Sequence, residues 1–323
     1  MRRLNVVLAP GSGAHLAVEP PSPEPSGQAP SENLAAGFEP QAGWNLTAEG
    51  GRTIADLVFV NRYLGQAGAW EPEDMTRIDH ALSAAMSDAA LQRVMAQYFP
   101  GPITSTMLAS ATHEAAVPGT VYKDIVEQLA KQLYGEGALG QADPASSVIN
   151  IMLPKGVVLS DEFSPGFVAP AGSEQATESR RAGTIKLDPE NAADSEHGLG
   201  GYHGCVHLDG GVEICYAVGV YSEANNGIAA FDEPWKNVVA TFYHELNEAR
   251  TDPDVEDVNA TGNNNLLGWY SKEGQGEIGD LPINACGGNL GLVFREVPLA
   301  DGTGLVPIQL MWSNAAAGPA ATT

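Results

Sequence analysis

Residues 10–43 show no hydrophobic period. Prolines 10, 20, 21, 23, 25, 30 and 40 stand there among Ser, Glu, Gln and Gly, with few large apolar groups. Such a stretch cannot bury enough surface to offset its ordering entropy. Residues 1–43 therefore read as a disordered proline-rich arm or leader, and a single domain is expected over 44–323. The pattern changes near Trp44. Ile54-Ala55-Asp56-Leu57-Val58-Phe59-Val60 is β-branched and apolar between glycines, which predicts a buried strand over 54–60. Met75, Ile78, Leu82, Met86, Leu91, Val94, Met95 and Tyr98 follow at helical spacing and predict two helices over 73–98, broken near Ser87-Asp88 and ended by Pro100-Gly101-Pro102. Val121, Ile125, Leu129 and Leu133 recur at steps of four, giving a helix over 121–134. The run 148–153 reads as a second strand. A strand, about three helices and a strand indicate an α/β layer with a partly parallel sheet.

Residues 160–200 are polar and aperiodic, long enough to be a functional loop or lid. A hairpin comes next. Asp209-Gly210-Gly211 is a turn signal, and around it Tyr202, Val206, Leu208, Val212, Ile214, Tyr216 and Val218 mostly share one face by alternation. The opposite face carries His203, Cys205, His207, Glu213 and Cys215. Because 205 and 215 are symmetric about Gly210, the two cysteines face each other, and a disulfide is conceivable. After Phe231-Asp232-Glu233-Pro234, a helix-start signature, Val238, Val239, Phe242 and Leu246 form an apolar stripe over 235–250.

That last helix carries the candidate chemistry. His244 and Glu248 stand at i and i+4, side by side on one face, where they can bind one cation. Glu245 takes the place of the proton-handling glutamate in the zinc hydrolase motif H-E-x-x-H, here changed to H-E-x-x-E. A carboxylate is an acceptable zinc ligand at about 2.0–2.2 Å. An open catalytic zinc needs a third protein ligand, and Gly276-Glu277-Ile278-Gly279-Asp280 offers Asp280 or Glu277, with His203 as the outsider. Asp252, eight residues beyond His244, is a further candidate ligand, although Pro253 stops the helix there and favours a cap or turn role. An edge hairpin followed by a metal-bearing helix is the layout of zincin peptidases, so the expected class is α/β (α+β) with a zincin-like mixed sheet.

Composition narrows the partners. With 16 Lys+Arg against 40 Asp+Glu the formal charge is −24, which argues against nucleic acid and anionic membrane surfaces. Acidic residues concentrate around the helix at 245, 248, 252, 254, 256, 257, 277 and 280, and that local excess makes a cation the first partner to expect. Asp252, Asp254, Glu256, Asp257 and Asn259 form an oxygen-rich loop suited to Ca²⁺, without EF-hand spacing. Gly135–Gly140 and Gly274–Gly279 both satisfy G-x-G-x-x-G. The first follows a helix and the second opens none, so neither supports a dinucleotide site. No apolar run reaches the length of a spanning helix, and the stretch after Met1-Arg2-Arg3 is too short for a secretory signal.

The run His244–Pro253, followed by Gly268-Trp269-Tyr270, Gly276–Asp280, Cys286 and Gln309–Asn314, resembles bacterial secreted proteins related to the plant EXORDIUM (phosphate-induced) family. Tyr202-His203-Gly204 and Tyr216-Ala217-Val218 are similar to that family's central strands. The resemblance covers roughly 44–316 and is most specific over 200–314. It implies an extracellular, metallopeptidase-like protein with an H-E-x-x-E helix. The plant members lack the histidine-glutamate pair, so the fold exists without a metal centre. This chain departs from the family in having no cysteine after Trp312-Ser313-Asn314.

Together these readings predict a zinc-dependent hydrolase acting on a peptide or protein substrate. His244, Glu248 and Asp280 or Glu277 would hold Zn²⁺. Glu245 would be the general base, and His203, His207 or Tyr270 would stabilise the oxyanion. The rival is a non-catalytic extracellular binding protein with a Ca²⁺-stabilised acidic loop.

Overall fold

The computed structural model describes residues 33–168, 194–255, 258 and 266–320. Its centre is a six-stranded mixed sheet. In chain order the strands are β1 (Asp56–Leu64), β2 (Thr104–Met107), β3 (Ala111–His113), β4 (Ser147–Met152), β5 (Gly201–Leu208) and β6 (Val212–Gly219). They lie side by side as β2-β1-β4-β6-β5, with β3 pairing a later stretch of β1. All pairings are parallel except the last, where β5 runs antiparallel to β6 along the edge. The mixed α/β class is as the sequence predicts.

Alternation along these strands sorts side chains to two layers. Val60, Ile149, Ile151, Tyr202, Val206, Ile214, Tyr216 and Val218 pack with Val126, Ala130 and Leu133 of helix α3 (Lys123–Gly135). Phe59, Tyr63, Val148, Met152, Cys205, Cys215 and Ala217 face the other way. They meet α1 (Pro72–Ser87), α2 (Ala89–Ala96) and α4 (Pro234–Thr251). The break between α1 and α2 falls at Asp88, whose Oδ1 accepts from the Ala90 and Leu91 amides at 2.8 and 3.0 Å and so restarts the helix.

Helix α4 is enclosed all round, with every residue from Asn237 to Thr251 buried. It packs on β5 and β6, on α1, and on β8 (Leu305–Gln309) of a hairpin whose other strand is β7 (Phe294–Pro298). The apolar stripe at 238, 239, 242 and 246 accounts for one covered side. Strand β8, more than 50 residues further on, helps to cover the remainder. A short helix α5 (Asp280–Ala285) returns from the acidic turn.

Three expectations change. The first strand starts two residues later than expected and runs on through Asn61-Arg62 to Leu64, because its polar side chains find partners. Asn61 Nδ2 donates to Asp79 Oδ1 at 2.8 Å, and Arg62 donates to the Ala109 and Ala138 carbonyls. Second, ordered chain begins before Trp44. Leu34 bridges Ala320, and the Ala35 and Gln41 amides donate to the Pro319 and Ala317 carbonyls at 2.8 and 2.6 Å, so 33–43 is not a free arm. Residues 1–32 of that arm lie outside the described residues. Third, the ends of the expected lid are tied together by a bridge between Ser160 and Asp194, while 169–193 lies outside the described residues. Among the described residues no helix is long and apolar enough to cross a membrane.

Candidate metal centre

Four parts of the chain meet beside the antiparallel edge. Strand β5 supplies His203, α4 supplies His244, Glu245 and Glu248, and Asp252 follows at its C-terminus. The turn before α5 supplies Glu277, and α5 itself supplies Asp280. Exposure of these seven residues ranges from 0% to 4%, so two imidazoles and five carboxyls are enclosed together.

His203 projects from the sheet face that meets α4. Its Nδ1 lies 3.3 Å from Glu245 Oε2 and 3.7 Å from Glu248 Oε2. Its Nε2 lies 3.0 Å from the Asp252 carbonyl and 3.6 Å from Glu277 Oε1. The sequence reading placed this histidine as an outsider. The structure places it at the middle of the cluster, because β5 lies directly against the helix.

His244 is oriented from behind. Gln309 Nε2, on β8, donates to the Gly279 carbonyl at 2.6 Å, which fixes the amide so that Gln309 Oε1 accepts from His244 Nδ1 at 2.8 Å. That hydrogen bond places the neutral ring's proton on Nδ1 and leaves Nε2 as a lone-pair donor. Nε2 then faces Glu248 Oε2 at 3.0 Å and Asp280 Oδ1 at 4.0 Å. A lone pair facing a carboxylate oxygen at that distance calls for a proton or a cation between them.

Glu248 is oriented just as firmly. Its Oε1 accepts from the Gly279 and Asp280 amides at 3.1 and 3.2 Å, turning Oε2 toward the imidazoles. Asp280 Oδ2 accepts from the Glu277 amide at 3.1 Å, and Asp252 Oδ1 accepts from the Gly268 amide at 3.0 Å, the turn role its sequence position suggests. The cluster nevertheless contains buried oxygens with no hydrogen-bond partner: Glu248 Oε2, Asp252 Oδ2 and Glu277 Oε1. Native interiors rarely leave such atoms unsatisfied.

The electrostatics follow from this enclosure. Burial pushes Glu277 and Asp280 well above the usual carboxyl range, with Glu248 adding repulsion in both cases. Burial also raises Asp252 and Glu245. Glu248 goes the other way. Burial would raise it, but His244 and His203 hold it down. Burial opposes charge on both histidines and is outweighed by Glu245 and Glu248, so both are raised. Every ion pair that Glu245, Glu248, Glu277 and Asp280 make among the described residues is with His203 or His244.

Other predicted site residues stand apart. His207 pairs with Asp254 at 3.4 Å and with Glu213 at 4.0 Å, and Glu213 is bound by Arg52. It does not join the cluster, because it lies at the far end of β5. Tyr270 is half-buried, and its hydroxyl is raised by burial and then by the charges of Asp280, Glu277 and Asp252, but it makes no side-chain hydrogen bond to the cluster among the described residues. Of the proposed calcium loop, Asp252 turns into the cluster and Asp254 toward His207. Glu256, Asp257 and Asn259 lie outside the described residues. Cys205 and Cys215 sit opposite each other in register and form a disulfide, leaving Cys286 free.

Sequence reasoning missed Gln309 and the role of the glycine loop. A Cβ at Gly276 would come 2.6 Å from Asp280 Cβ, and one at Gly279 would come 2.5 Å from His244 Nδ1. The second G-x-G-x-x-G run is thus a close-approach loop pressed on the cluster. No protein-family model matches the chain, and no curated protein or solved structure matches it.

Proposed function

We propose that the chain is a zinc-dependent hydrolase acting on peptide bonds, with His244 and Glu248 holding the ion and Glu245 beside them as general base. The observation that carries this reading is the buried charge. Five carboxyls are enclosed with two imidazoles, and three carboxylate oxygens, Glu248 Oε2, Asp252 Oδ2 and Glu277 Oε1, make no hydrogen bond. An uncompensated buried ion costs several kcal/mol, and a divalent cation offsets that cost where two imidazoles alone do not. The donors fit zinc: nitrogen and carboxylate oxygen, with the two nearby cysteines joined in a disulfide. Such an ion supplies Lewis acidity and a water of lowered pKa. Glu245 belongs to the same group of candidate ligand atoms as His244 and Glu248, and this proximity supports the role of taking that water's proton. His203, 3.3 Å from Glu245, would hold that carboxylate in position. Tyr270 is the remaining group to steady an oxyanion.

One observation favours a second reading, a non-catalytic protein stabilised by its cation. Neither His203, His244, Glu245 nor Glu248 is more than 3% exposed, whereas a hydrolase must admit substrate. Zinc analysis and peptide-library hydrolysis with the parent, Glu248→Gln and Glu245→Gln separate the two. Hydrolysis by the parent, with zinc retained and activity lost in Glu245→Gln, is the expected result. Zinc bound by the parent without hydrolysis supports the second reading, and a parent that binds no zinc refutes the first.

A further inference from the structure

We propose that the cluster holds two divalent cations that share Glu248. The inference rests on the reading that the cluster binds a cation, and it changes the number and placement of the ions.

The ligand atoms fall into two overlapping groups. One comprises His244, Glu245 and Glu248, the other His203, Glu248 and Glu277, and within each group the ligand atoms lie within 4.8 Å of one another. Among the described residues no group contains both imidazoles. A single zinc with bonds of about 2.0–2.1 Å spans at most about 4.2 Å between two of its ligands. An ion seated between His244 and Glu248 therefore leaves His203 and Glu277 unserved.

The unserved half is itself incomplete. Glu277 Oε1 is buried and without a partner, 3.6 Å from His203 Nε2. Glu277 is 2% exposed, so solvent does not complete it.

Glu248 is the member common to both groups. Two backbone amides hold its Oε1, while Oε2 lies 3.0 Å from His244 Nε2 and 3.7 Å from His203 Nδ1, between the imidazoles. A shared carboxylate suits paired ions about 3.5–4 Å apart. Imidazole and carboxylate donors suit zinc, and a carboxylate-rich set also suits manganese.

The test uses the full chain, stripped with chelator and titrated with Mn²⁺ under calorimetry and electron paramagnetic resonance. Two equivalents should bind, and the hyperfine pattern of isolated Mn²⁺ at the first equivalent should give way to a coupled spectrum at the second. Glu277→Gln should bind one equivalent and keep the isolated pattern. Saturation of the parent at one equivalent overturns the two-ion arrangement and leaves the cation reading standing. Absence of binding, for Mn²⁺ and for Zn²⁺, overturns both. A folded Glu277→Gln protein that still gives the coupled spectrum overturns the placement of the second ion on Glu277. If that variant does not fold, the parent's stoichiometry and spectrum decide.

Discussion

Gly279→Ala isolates the contact that orients His244. Residue 279 has φ −88° and ψ −29°, a helical conformation that alanine adopts freely, so the perturbation is steric. The new Cβ would lie 2.5 Å from His244 Nδ1, 2.6 Å from Cε1 and 2.9 Å from Cγ. Comfortable carbon contacts are about 3.5–4.0 Å, so the ring must retreat by about 1 Å. Retreat is opposed by the hydrogen bond to Gln309, itself tied to the Gly279 carbonyl, and by a side chain only 3% exposed. Overpacking of this kind costs about 1–3 kcal/mol. The lower unfolded-state entropy of alanine returns only about 0.4–1 kcal/mol. The net should be a loss of about 1–2 kcal/mol in urea unfolding. Displacing a ligand's orienting partner should also weaken Zn²⁺ binding about 10–100-fold. Gly304→Ala is the control: nothing lies within 4 Å of its Cβ, and its Zn²⁺ affinity should match the parent. A Gly279→Ala protein with the parent's midpoint and Zn²⁺ affinity would refute the claim that this loop positions the histidine.

Two further outcomes are expected. Gln309→Leu removes the acceptor at His244 Nδ1 and frees the ring tautomer, so Zn²⁺ affinity measured by competition should fall about 10–100-fold with the circular dichroism of the fold retained. Replacing Cys205 and Cys215 by serine opens a loop of sequence separation 10, and chain-entropy arguments put the loss at about 2–3 kcal/mol. An unchanged urea midpoint for the serine pair would show that the β5–β6 hairpin is held by its ladder alone.

What the sequence revealed was local. The hairpin is legible because Asp209-Gly210-Gly211 fixes the turn, and alternation then assigns Tyr202 to one face and His203 to the other. The Cys205–Cys215 register follows from the same symmetry. Helix α4 is legible from Glu233-Pro234 and its apolar stripe, and the turn role of Asp252 from Pro253. The environment of the helix's polar side was not legible. An amphipathic pattern predicts one buried stripe, yet His244, Glu245 and Glu248 are enclosed. Strand β5 reaches them from one side, while the Gly276–Asp280 turn and Gln309 on β8 reach them from another. These are tertiary contacts over 31 to 65 residues of chain, beyond any local period. His203 was misjudged for the same reason: its face of the strand could be read, and what would pack on that face could not.

The antiparallel edge is what makes the cluster possible. Because β5 turns back from β6 with Cys205 opposite Cys215, His203 lies two residues from the disulfide and opposite Ala217, a side chain small enough to leave room for an imidazole against α4. The glycines at 276 and 279 then let backbone come within contact distance of Asp280 and His244, which sets two amides on Glu248 Oε1. Each of these contacts orients a carboxylate or an imidazole without neutralising the excess of carboxylates. Folding thus creates a cost, the enclosure of five carboxyls, that hydrogen bonds only partly relieve. A cation that binds the folded chain alone relieves the remainder and couples metal binding to stability. If the proposed cation is bound, chelator should lower the unfolding midpoint whether or not the centre is catalytic, which makes the thermal response to chelator a measure of the site and not of the reaction.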